Sequence, residues 1–224
     1  MVYRENYVSP TSVSVINQAF SWMFGGSLLT ALAAFIVEKN VSLQNLILDN
    51  NVVFFGLIIV ELALVFFLSI RIQKLSFGAA LFTFLVYSLL NGLMISAIFF
   101  IYTASSIASV FVISALVFGI MALIGYTTKR DLTSIGNLSL MALVGVILAS
   151  LVNLFLKNGT LSLIVSYLAV IIFVGLTAYD TQKIKRMSES GTSGNMGIYG
   201  ALALYLDFIN IFLNLLRIFG RQRN

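Results

Sequence analysis

The chain has 224 residues, of which 60% are hydrophobic and only 9% charged, and its mean hydropathy is +1.04. A soluble domain carries about a quarter charged residues, so this is the composition of a polytopic membrane protein with little loop. The chain has no cysteine and no histidine, which excludes disulfides, thiolate metal sites, thiol nucleophiles and imidazole pH sensors, and its net charge of +5 reads as a topology signal rather than as affinity for nucleic acid.

Residues 1–14 (MVYRENYVSPTSVS) read as a polar tail without the marks of a cleaved signal peptide. A span needs roughly 20 apolar residues. In chain order the candidates are 15–37, 52–70, 77–101, 107–126, 137–156, 161–180 and 198–219. They form one domain over 15–220, followed by a basic tail at 221–224, and no internal repeat is visible. Asn40, Asn137 and Asn158 fall in glycosylation-like triplets, which are common by chance.

Lysine and arginine set the expected orientation. With the N-terminus cytoplasmic, one side holds Arg4, Arg71, Lys74, Lys129, Arg130, Lys183, Lys185 and Arg186, and the other holds only Lys39 and Lys157 among the loops. The bias follows the positive-inside rule. Arg217, Arg221 and Arg223 break it, because seven crossings place them outside. The last segment therefore either crosses against the rule or is re-entrant.

That segment is also the most polar. Gly200, Ala203, Asp207, Asn210, Asn214 and Arg217 recur at spacings of three and four, one stripe on a helix. Lipid cannot satisfy such side chains, so the expected fold is all-α, with a central seventh helix wrapped by the other six. Close packing of small residues, with asparagine as glue between helices, explains part of the stripe. It does not explain an ionisable group.

Asp180 and Asp207 are the residues most in need of an explanation. Each lies in or at the edge of an apolar span, where an unpaired charge costs about 3 kcal/mol or more. Two carboxylates in reach of one another cannot both ionise cheaply, so they share a proton and titrate as a unit. That makes a pH switch without histidine. Two acids with carbonyls and water also suit a transient calcium site, weak enough for permeation. An ordinary interfacial charge is the plainer reading of Asp180, three residues before Lys183. Depth is a further obstacle: Asp207 lies nine residues into its segment, roughly 14 Å, and Asp180 is shallower unless its helix runs on through TQKIKRM. The loop at 188–197 (SESGTSGNMG) is flexible by composition and joins the two acid-bearing helices. Glu61, near the middle of the second span, should face the bundle interior. It either lines a pathway or is a protonated group bonded to a neighbour such as Asn91 or Asn153. Asn210 and Asn214 are the other pathway-lining candidates.

Three stretches resemble signatures of the Bax inhibitor-1 (transmembrane Bax inhibitor motif) family in its bacterial branch: GYTTKRDLTSIG at 125–136, VGLTAYDTQKIKRM at 174–187 and LYLDFINIFLNLLRIFG at 204–220. The similarity extends to NVVFFGLIIVELALVFFLSIRI at 51–72 and YTASSIASVF at 102–111. The resemblance implies seven helices with the last at the centre, in a bacterial inner membrane. It also implies a pH-sensitive calcium-permeable leak gated by an aspartate pair, which falls here on Asp180 and Asp207. An arginine near the inner end of helix two is implied as a latch, with Arg71 the nearest match. The implied partners are the bilayer, protons and calcium as permeant ion, with no cofactor. A proton-coupled transporter and a non-conducting regulator that binds other membrane proteins are the rivals. A transporter lacks its broken-helix pair here. An intramembrane protease, and with it enzymatic function, is disfavoured because neither aspartate has a GxGD context.

Overall fold

The computed structural model describes residues 10–189 and 195–223. Arg4 and the tail through residue 9 lie outside the described residues, as do 190–194 of the loop between the acid-bearing helices, and Asn224. The described elements are α1 (Pro10–Lys39), α2 (Val41–Ile47), α3 (Asn51–Arg71), a 3-10 turn (Ile72–Lys74), α4 (Phe77–Ile95), α5 (Ile98–Ile101), α6 (Ala104–Thr127), α7 (Thr133–Leu156), α8 (Gly159–Glu189) and α9 (Met196–Phe219). Seven stretches are long and apolar enough to cross a membrane, with α4 and α5 together making one of them. The protein is an all-α, multi-pass membrane protein.

Helix boundaries follow local chemistry. The polar tail expected over 1–14 gives way to helix at Pro10, because proline at the first helical position has no N–H to leave unpaired. Asn40 caps α2, its side chain accepting from Leu43 N at 3.2 Å. Asn50 caps α3 through Val52 N and Val53 N. At the α7–α8 turn Lys157 is left-handed (φ 49°), and Asn153 Oδ1 takes the N–H of Asn158 at 3.0 Å.

α9 is one unbroken helix of 24 residues, long and apolar enough to cross a membrane. At its start Asn195 Nδ2 donates to the carbonyls of Ile72 and Leu75, at 3.1 and 2.6 Å. At its end the chain pairs with the α5–α6 connection: Thr103 N donates to Arg221 O at 3.0 Å and Arg223 N to Ile101 O at 2.9 Å. The residues around Arg71 and Lys74 and those after Phe219 are therefore on opposite faces of the bundle.

α9 is the most buried of the seven spans. It packs on α1, α6 and α8, and more lightly on α4. The expected enclosure by six helices is not what is seen, since α3 leans chiefly on α4, and α7 on α8. The reason is visible in the side chains. Phe208 meets Phe111 and Phe118 of α6 edge to face, at centroid distances of 5.4 and 5.6 Å, and Tyr205 meets Phe84 of α4 at 5.7 Å. These rings close the apolar side of α9 and leave α3 and α7 to face lipid with residues such as Phe55 and Phe155. On the small-residue side, a Cβ at Gly200 would come within 2.9 Å of the Ala19 methyl and of Ile184 Cδ1. Glycine there is what lets α1 and α8 close on α9.

Candidate functional site: two acid centres within the bundle

The depth mismatch between Asp180 and Asp207 disappears because α8 runs on to Glu189. Asp180 lies nine residues before that end and Asp207 eleven after the start of α9, about 14 Å and 16 Å at 1.5 Å per residue. The two helices are consecutive and packed along each other, so the acids meet at a common depth. Asp207 is only 3% exposed, and its Oδ2 has no hydrogen-bond partner. Asp180 is half-buried and is the charged group that Asp207 senses. On its own helix Asp180 senses Lys183. Lys183 Nζ in turn donates to Tyr199 Oη of α9 at 2.8 Å.

The polar end of α8 is built into the α6–α7 connection. Gln182 donates to Arg130 O at 2.8 Å and accepts from Leu132 N at 2.9 Å. Lys185 Nζ donates to Tyr126 O at 3.0 Å and lies 4.8 Å from the Tyr126 ring centroid. Arg186 pairs with Asp131 at 2.9 Å. Asp131 Oδ1 also accepts from the Thr133 hydroxyl and N–H, at 2.6 and 2.9 Å. These bonds, the hydroxyl first and with Arg186 adding to them, hold the Asp131 carboxyl down at about 2. TQKIKRM is thus helical because nearly every polar group in it has somewhere to go.

Glu61 belongs to a second centre, on the α3–α4 side. Asn91 Nδ2 donates to Glu61 Oε1, and Asn91 Oδ1 accepts from Tyr205 Oη at 3.1 Å. The Tyr205 hydroxyl also meets Thr30 Oγ1 at 2.6 Å, and Thr30 reaches Ser88 O at 2.8 Å. Four helices (α1, α3, α4 and α9) are tied together at this point. Of the two asparagines expected near Glu61, Asn91 is the one that reaches it.

The remaining site residues fall differently. Asn210 and Asn214 are half-buried, and each returns its amide nitrogen to its own helix, to Leu206 O and Asn210 O at 2.8 Å. Interhelical glue is therefore not what their nitrogens provide. Arg71 is exposed at the end of α3 and makes no ion pair among the described residues, so the structure does not bring it to the aspartates. Tyr199, Tyr205 and Thr30 were not singled out in the sequence. The available signal was a tyrosine in mid-span, whose hydroxyl must find a partner once buried.

The family described as inhibitor of apoptosis-promoting Bax1 matches residues 13–224. An Escherichia coli (strain K12) protein named inner membrane protein YbhL is 53% identical over 212 residues, covering 92% of this chain and 91% of that one. An uncharacterized Borreliella burgdorferi protein is 41% identical over 212 residues, with the same shares covered. A Rickettsia prowazekii protein, uncharacterized protein RP147, is 40% identical over 215 residues, covering 92% of this chain and 89% of that one.

Proposed function

Because this chain belongs to the Bax inhibitor-1 family, we propose that it is a pH-sensitive, calcium-permeable leak gated by Asp180 and Asp207 acting as one titrating unit. The observation that carries the reading is Asp207: a carboxyl 3% exposed on the most buried helix, with one oxygen unpartnered and a second acid beside it. A buried carboxylate that only served packing would be bonded. A shared proton closes the pair. Its loss leaves two like charges in a poorly solvated place, and they either separate or admit a cation. Since the acids sit on consecutive helices, either outcome moves α8 against α9. Asn210 and Asn214, one and two turns beyond Asp207, have their amide nitrogens engaged and so offer oxygens to a passing cation. Glu61 lines the α3–α4 side in this scheme, held by Asn91. In this reading the protein conducts ions and catalyses no reaction. The face carrying Arg71, Lys129 and Arg130 is cytoplasmic, and the N-terminus with it.

The test is calcium flux into dye-loaded liposomes across pH. Asp180→Asn and Asp207→Asn should each flatten the pH response, and the double variant should add little. Additive effects, or a full pH response surviving both substitutions, would refute the pair as the switch.

A further inference from the structure

The segment AYDTQKIKR carries three cations within four residues, Lys183, Lys185 and Arg186, and the fold sends them two ways. Lys185 and Arg186 turn to the α6–α7 connection, to Tyr126 O and Asp131. Lys183 turns to α9. Its Nζ donates to Tyr199 Oη at 2.8 Å and lies 5.4 Å from the Tyr199 ring centroid and 5.8 Å from that of Tyr179. Three residues after Asp180, it shares that carboxyl's helical face, and each feels the other's charge.

No other cation competes for the role among the described residues. α9 presents Asp207 and Tyr199 to this place, and α8 presents Asp180, Tyr179 and Lys183. Residues 15–37 of α1 and all of α7 contain no ionisable side chain, and α6 contains only Tyr126, which faces Lys185. Arg71 and Lys74 are exposed.

We propose that Lys183 is the resident counter-cation of the acid pair, a positioning residue that balances the pair's charge until a permeant cation takes its place. The ammonium has two places within reach of its stem. In this structure it rests in the cradle of the Tyr179 and Tyr199 rings with the Tyr199 hydroxyl, which keep it out of water. The other is the carboxyl of Asp180, one turn earlier on the same helix. Lysine suits the task because its charge is compact and its stem flexible. Tyr199 lies two helical turns before Asp207 on α9, so an ammonium exchanging between these places also changes how α8 grips α9. The inference rests on the reading that the pair admits cations, and it goes beyond that reading by naming what the cation must displace.

Terbium(III), a calcium-sized probe whose luminescence is sensitised by nearby tyrosine, tests the inference on the full-length protein in lipid vesicles. The signal lost in both Asp180→Asn and Asp207→Asn defines the pair's site. Lys183→Met should lower the terbium concentration for half-saturation of that signal by about tenfold or more, the scale of one charge removed at close range. Lys183→Arg should restore the wild-type value. Should the methionine variant not fold, Lys183→Gln must shift the half-point in the same direction. An unchanged half-point in the neutral variants overturns the proposal, as does an equal shift in Lys183→Arg, which would indicate packing rather than charge. A signal indifferent to both aspartates overturns it too. Calcium flux measured alongside separates the two readings. Terbium bound at the pair and shifted by Lys183→Met, with no calcium flux, would remove the leak and keep the counter-cation. Flux controlled by the pair with a half-point indifferent to Lys183 would do the reverse.

Discussion

The sharpest energetic expectation concerns Tyr205→Phe. The Tyr205 side chain is fully buried, and its ring packs edge-on against Phe84 and Tyr87 at 5.7 and 6.0 Å. Phenylalanine keeps those contacts and removes one oxygen. That oxygen donates to Asn91 Oδ1 at 3.1 Å and meets Thr30 Oγ1 at 2.6 Å. The Thr30 hydroxyl has a single hydrogen and two carbonyls in reach, Gly26 O at 2.9 Å and Ser88 O at 2.8 Å, so it stays satisfied. The loss falls on Asn91 Oδ1, whose partner disappears while its amide nitrogen remains committed to Glu61. One neutral acceptor left unpaired costs about 1–2 kcal/mol. Removing the whole ring in Tyr205→Ala should cost about 3–5 kcal/mol. Unfolding free energies in detergent, measured for both variants and for Asn91→Leu, test the chain of bonds. In the double variant Tyr205→Phe/Asn91→Leu the two losses should be less than additive, because the orphaned acceptor is gone. Full additivity, or a Tyr205→Phe variant as stable as wild type, would refute the bonding pattern that ties α9 to α3 through Asn91.

Two further outcomes concern the basic end of the bundle. Gln182→Leu preserves bulk but strands the Leu132 N–H and the Arg130 carbonyl; it should destabilise by about 1–3 kcal/mol and speed hydrogen exchange in the α6–α7 connection, read by mass spectrometry. Asp131 is an ordinary depressed carboxyl: its stabilising effect is present above its unfolded value of 3.8 and is lost as pH falls through about 2. Asp131→Asn should therefore blunt the acid limb of a melting-temperature profile and leave any response near neutrality intact.

The spans were legible because a bilayer demands long apolar runs, and such runs stand out whatever their packing. What escaped was set by polar side chains that hydropathy counts as loop. Hydropathy falls away at Asp180, yet α8 runs on to Glu189 because Gln182, Lys183, Lys185 and Arg186 each meet a partner on another element. α2 rests on one asparagine cap and seven residues, too short for any periodicity to register. The polar stripe on α9 was readable as a buried face. The number of helices around it was not, since that depends on how Phe111, Phe118 and Phe84 close its other side. The choice between Asn91 and Asn153 as partner of Glu61 was likewise a matter of packing: α3 lies on α4, while Asn153 spends its oxygen on the turn after α7.

Glu61 and Asp207 began as the same observation, an acid inside a span, and their surroundings now separate them. Glu61 is half-buried and bonded to an asparagine that is itself bonded to a tyrosine. Breaking that chain exposes unpaired groups on three helices, so its energetics favour one fixed arrangement. Asp207 is more deeply buried, yet it keeps an oxygen without a partner, with a second acid and then a lysine beyond it. A group in that position has more than one way to lower its energy: a shared proton, a cation, or movement of α8. Substituting Glu61 should therefore register first in stability, and substituting Asp207 first in the response to protons and cations. A fold that needed acids only to bind helices together would have given both the surroundings of Glu61.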